Sequence, residues 1–163
     1  MAAAALDKYL NDHLAGAMMG SALARQIRSR SRGTSPGELM ASLAPQIEAD
    51  RQSLIELMRR VDSPRRPVRQ AGGWVAAQAT RIKFWGPTAG APELGTFLAL
   101  ESLALGVQGK LSLWKALEQV ADGHPAIASE DLAVLIERAE SQYDALERER
   151  LAAGRRALRR PQG

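Results

Sequence analysis

Apolar residues recur at three- and four-residue spacing along four long stretches of this chain, and no stretch alternates convincingly with period two. Rods with one greasy side satisfy that pattern and a sheet does not, so the expected class is all-α. The first stretch, about residues 5–30, sets Leu6, Leu10, His13, Leu14, Ala17, Ala24 and Ile27 along one side. The second, about 36–61, opens on Thr34-Ser35-Pro36, a helix start signal, and carries Leu39, Leu43, Ile47, Leu54, Leu57 and Met58. Pro45 falls inside it, which predicts a kink or a later start there. The third, about 93–121, is apolar nearly all round at its beginning, from Leu94 through Phe97, Leu98 and Leu103 to Val107. Helices of that kind are normally enclosed by others. The fourth, about 129–152, begins at Ser129 with Asp131 in its first turn and presents Leu132, Leu135, Ile136, Ala139, Tyr143 and Leu146.

A shorter helix is expected over about 67–84, in the connection between the second and third long helices. Pro64 and Pro67 precede it, Gly86 and Pro87 follow it, and Trp74, Val75, Gln78 and Ile82 would lie on the bundle. The expected architecture is thus a bundle of four long helices plus one shorter helix, a single domain over residues 1–154. Residues 155–163 form a basic tail expected to fray.

The chain has no cysteine, which rules out disulfides and thiolate metal sites and suits a reducing cytoplasm, the expected location. Its opening, MAAAALDKYL, lacks the basic start and apolar block of a signal peptide. The most apolar window, Leu94 to Val107, is shorter than the ~20 residues a bilayer requires, so no membrane span is expected.

Polar groups that interrupt apolar stripes are the candidates for a site, because charged side chains are rarely buried without a partner. Glu101 is the clearest, with Phe97, Leu98, Ala104 and Leu105 as its turn neighbours. His13 sits between Leu10 and Ala17, Asp50 between Ile47 and Leu54, and Glu140 borders the last stripe. One carboxylate or imidazole from each of four helices is the raw material of a metal site inside a bundle. In helix number, helix length and long middle connection, the layout over about residues 5–152 resembles the ferritin-like superfamily. That resemblance implies a carboxylate-bridged centre holding iron or manganese, and zinc is a further candidate for the same ligand types. The family's Glu-x-x-His pairs are missing, however. Glu48 is followed by Arg51 and Glu140 by Tyr143, and His13 and His124 are the only histidines. In a ferritin-like helix order Glu101 also moves to the other half of the bundle from His13 and Asp50. A buried pairing of Glu101 with an arginine or with His13 is the favoured reading.

Arginines close three of the four long helices. Arg25, Arg28, Arg30 and Arg32 follow the first, Arg59, Arg60, Arg65, Arg66 and Arg69 the second, and Arg155, Arg156, Arg159 and Arg160 the last. Cations at helix C-termini are stabilised by the helix dipole by ~0.3–1 kcal/mol each, so no ligand is required to account for them. The functional reading is a patch for phosphate or nucleic acid. In the ferritin-like order the first and last runs gather at one end; in a simply alternating order the second and last do.

Glycines inside helices form the third signal: Gly16 and Gly20 on the first helix, Gly106 and Gly109 on the third. Each costs roughly 1 kcal/mol relative to alanine, and close helix approach is the usual reason for accepting it. Gly72-Gly73 before Trp74 is not a phosphate loop, since no Gly-Lys-Ser/Thr follows and no strand precedes. No nucleophile elbow or zinc-protease motif occurs, and with no second histidine in a helix a conventional catalytic triad is not expected. The expected function is a non-catalytic interaction module with a protein partner or self-association through its glycine- or tryptophan-bearing surfaces. A degenerate ferritin-like metal-binding protein and an arginine-based phosphate or nucleic-acid binder are the alternatives.

Overall fold

A computed structural model describes residues 2–65 and 92–159. It is all-α: four long helices form a bundle, and no strand occurs among the described residues. Helix α1 spans Ala2–Arg30, α2 Ser35–Arg60 and α3 Pro92–Glu118. A 3-10 turn, Ala121–Gly123, and the one-turn helix α4, Pro125–Ala128, lead into α5, Leu132–Ala157. The shorter helix expected over 67–84 lies outside the described residues.

The ends of these elements follow local chemistry. Alanines at the start of α1 carry the helix back to Ala2, because alanine is the best helix former. Pro45 does not delay α2, which runs unbroken from Ser35 through that position. Pro45 and Ala41, whose carbonyl loses its partner, both lie on the exposed face, where water satisfies the freed oxygen. The last helix starts at Leu132 rather than Ser129, because Asp131 caps it: its side chain accepts from the Val134 N–H at 3.2 Å. It then continues through Arg155 and Arg156 to Ala157. At the α1–α2 turn Gly33 adopts φ +73°, and Gly37 lies so close to the turn that a Cβ there would stand 2.0 Å from the Ser31 carbonyl oxygen.

Two clusters fill the interior. One joins Leu23 and Ile27 near the end of α1 to Met40 and Leu43 near the start of α2, Leu100 and Leu103 in the first half of α3, and Leu146 and Ala153 in α5. The other joins Leu10 and Leu14 to Leu54 and Leu57, Trp114 and Leu117, and Leu132 and Leu135. Helix directions follow from these sets. Helices α1 and α5 end where α2 and α3 begin, so α2 and α3 run in the same direction. Around the bundle α1 packs on α2 and α3, and α5 packs on α3 and α2; α1 and α5 stand on one diagonal, α2 and α3 on the other.

The apolar beginning of α3 is not enclosed on every side. Leu98 and Leu105 are 45% and 43% exposed, and both are turn neighbours of Glu101. No helix among the described residues is long and apolar enough to cross a membrane.

Candidate functional site

The most deeply buried charge among the described residues is Asp50, not Glu101. Asp50 lies on the inward stripe of α2 with only 2% of its surface exposed. Lys110 of α3 and Gln142 of α5 both donate to its Oδ2, the latter at 3.0 Å. Lys110 donates a second bond to the Gln142 Oε1, and the Gln142 amide also reaches Gln46 Oε1 at 3.4 Å. Arg138 Nε stands 2.8 Å from Asp50 Oδ1 but is not directed along that line, so the contact is an ion pair rather than a hydrogen bond. One carboxylate is thus shared by two cations on two other helices. Burial pushes the Lys110 ammonium below its ordinary value, Asp50 opposes that shift, and Arg138 adds to it.

Of the other three polar candidates only His13 comes near Asp50, lining the same cavity between α1, α2 and α3. Glu101 is half-buried and lies 3.6 Å from Arg150, because the Leu98–Leu105 side of α3 is open to solvent. Glu140 is a correction: it is exposed and paired with Lys115 at 2.7 Å. The inward stripe of α5 runs Leu135, Ala139, Gln142 and Leu146, and Glu140 is turned away from it. His13 is half-buried with its ring edge-on to Tyr9, 4.6 Å between centroids; burial lowers its pKa against the opposing effect of Asp12. The four do not converge, and among the described residues no group of three or more acidic, histidine or cysteine side chains is placed to share a metal ion.

Lys110, Arg138 and Gln142 carry the buried cluster, and the sequence reading passed over all three. The available signal was the same stripe interruption that marked Asp50: Lys110 falls between Val107 and Leu111, and Gln142 between Ala139 and Leu146.

The helix order gathers the first and last arginine runs at one end. Arg28 and Arg30 lie in the last turn of α1, Arg32 in the turn beyond it, and Arg155 and Arg156 in the last turn of α5, with Arg159 just after. Arg160 lies outside the described residues. Arg156 pairs with Glu149 at 3.1 Å and Arg25 with Glu48 at 3.4 Å. Arg28, Arg32, Arg155 and Arg159 are exposed and have no ion-pair partner among the described residues. An open recess of about 510 Å³ lies against the α1–α2 turn, lined by Arg25, Arg28 and Arg32 with Ser29, Gly33 and Glu38. At the opposite end Arg59 and Arg60 are engaged by Glu56 and Glu130.

Comparison with protein-family models, with curated proteins and with solved structures gives no match. The geometry therefore carries the functional reading alone.

Gly20 and Gly106 do not draw two helices together. Gly16 and Gly20 of α1 and Gly106 and Gly109 of α3 line a cavity bounded by α1, α2 and α3. A Cβ added at Gly20 or Gly106 would meet no atom within 4 Å.

Proposed function

We propose that this protein is a non-catalytic helical interaction module that docks the phosphate backbone of a nucleic acid on its arginine-bearing end. The observation that carries this reading is the set of four exposed guanidinium groups, Arg28, Arg32, Arg155 and Arg159, contributed by two helix termini at one end. The helix dipole explains why a cation is tolerated at each terminus. It does not explain why these four lack the carboxylates that Arg59 and Arg60 have at the other end. With Glu38 as an acidic neighbour in the recess, contacts to phosphate are spread over separate arginines rather than one closed pocket.

Binding of a fluorescent DNA duplex at several salt concentrations tests this. Four phosphate contacts give a log–log slope of about −3.6, a loss of roughly a hundredfold in affinity between ~50 and ~200 mM salt. Glutamine at positions 28, 32, 155 and 159 should abolish that slope, whereas Arg59→Gln/Arg60→Gln should leave it unchanged. Affinity indifferent to salt, or equal in the two variants, removes the reading.

Kinship with the ferritin-like bundles is a second reading, favoured by the shared direction of α2 and α3. It extends to layout and not to metal, because Asp50, Glu101 and Glu140 are each engaged by a lysine or arginine. Elemental analysis of freshly purified protein tests it: near-stoichiometric iron, manganese or zinc would overturn the non-metallic assignment.

A further inference from the structure

The cavity between α1, α2 and α3 combines four features that packing alone does not produce. First, its walls include Gly16, Gly20, Gly106 and Gly109, and at two of these a methyl group would meet nothing within 4 Å. Alanine at Gly20 or Gly106 would favour the helix by roughly 1 kcal/mol, so the glycines preserve space at a cost in stability. Second, Trp114 lines the cavity at 1% exposure, and its indole Nε1 has no hydrogen-bond partner among the described residues. A buried N–H without an acceptor is uncommon and calls for an explanation. Third, Lys110 lines the same cavity one helical turn before Trp114, and its bonds to Asp50 and Gln142 use two of its three N–H groups. Fourth, Asp50 is the one carboxylate among the described residues that faces both Lys110 and Arg138, while Arg51 on the same wall is held by Glu48. The Asp50–Lys110–Arg138 cluster therefore carries one positive charge in excess, with Arg138 partly exposed and outside the cavity wall.

Two donors one turn apart on α3, beside an uncompensated positive charge, call for an acceptor that is also an anion. Besides His13, whose pKa burial lowers, the rest of the wall is Ala17, Ile47, Leu54, Leu103, Val107 and Leu113, an aliphatic surface that suits a short apolar tail. Size is set by the cavity volume of about 50 Å³. One water needs ~10–15 Å³ and benzene fits ~150 Å³, so the occupant is larger than water and smaller than benzene. We propose that this cavity binds a short-chain monocarboxylate of the size of acetate or propionate, its carboxylate received by Lys110 and the Trp114 indole N–H and its alkyl end lodged against the glycine walls. This site is separate from the arginine end and does not depend on the reading given to it.

Titration of the full chain with propionate, followed by the indole N–H resonances in proton–nitrogen NMR spectra, tests the assignment, with Trp114→Phe identifying the Trp114 signal. Propionate should move that signal saturably at millimolar concentration, as befits a ligand of about five non-hydrogen atoms. Propionamide, of equal size and uncharged, should bind at least tenfold more weakly. Lys110→Met should weaken propionate at least tenfold. So should Gly20→Ala/Gly106→Ala, which fills the space while favouring the helices, so that lost binding there is not lost folding. A Trp114 signal that never saturates, equal binding of propionamide, or undiminished binding in the double alanine variant overturns the proposal.

Discussion

The Lys110 ammonium on α3 donates to the Asp50 carboxylate on α2, joining two helices that stand diagonally across the bundle. Gln142 bridges the same pair from α5, so a single buried cluster fixes the relative height of three helices. Burying such a pair is costly, and good geometry with the remaining lone pairs satisfied is what makes it tolerable. Gln142 supplies part of that satisfaction at Oδ2, while Oδ1 faces Arg138 in an ion pair.

Removing one member of the cluster should therefore cost more than removing two. Asp50→Ala leaves Lys110 and Arg138 facing each other without a counter-charge, and about 3–5 kcal/mol of stability should be lost in urea unfolding. Asp50→Leu/Lys110→Met should recover most of that loss, since Arg138 is half-exposed and can turn to water. A loss below about 1 kcal/mol in Asp50→Ala would contradict the assignment of the cluster as buried and coupled.

Alkaline stability should carry the signature of Lys110. Its folded pKa lies below the ordinary 10.5, chiefly through burial. Between the depressed value and 10.5 the folded state binds fewer protons than the unfolded chain, so stability rises with pH across that window. Urea midpoints measured upward from neutral pH should show the rise in the parent protein and lack it in Lys110→Met.

Acid should act through Glu48, which the side-chain hydrogen bond from Arg51, aided by Gln52, lowers from 4.5 to about 2. A carboxylate depressed in the folded state contributes fully above its unfolded value, and the contribution fades as pH falls from 4.5 towards about 2. Glu48→Gln should flatten that part of the acid-unfolding profile followed by circular dichroism. An unchanged profile would show that the Arg51 pair does not hold in solution.

Glycine substitutions should divide by what their Cβ meets. Gly20→Ala and Gly106→Ala should each raise stability by about 0.5–1 kcal/mol, visible as a higher melting temperature. Gly37→Ala should lower it by at least about 2 kcal/mol, because its Cβ would drive into the Ser31 carbonyl at 2.0 Å. Gly154 lies between these cases, with the flexible edge of Phe97 at 3.0 Å from its added carbon.

Period and punctuation were enough to read the class of this fold. Leu10 and Leu14, Leu54 and Leu57, Leu100 and Leu103, Leu135 and Ala139 are core residues because a 3.6-residue repeat puts them on one side of a rod, a purely local consequence of helix geometry. Asp50 as an interior polar group was legible for the same reason. Glu101 has the arginine partner expected of it but not the burial, and Glu140 is turned outward, because a stripe names a side of a helix without naming what covers it. Neighbouring helices left the Leu98–Leu105 side of α3 open and drew the buried stripe of α5 through Gln142. The direction in which α3 runs, the gathering of Arg28, Arg32, Arg155 and Arg159 at one end, and the meeting of Asp50 with Lys110 across 60 residues of sequence are of another kind. They depend on how four separate rods are stacked, and interactions between rods leave no periodic trace within any one of them.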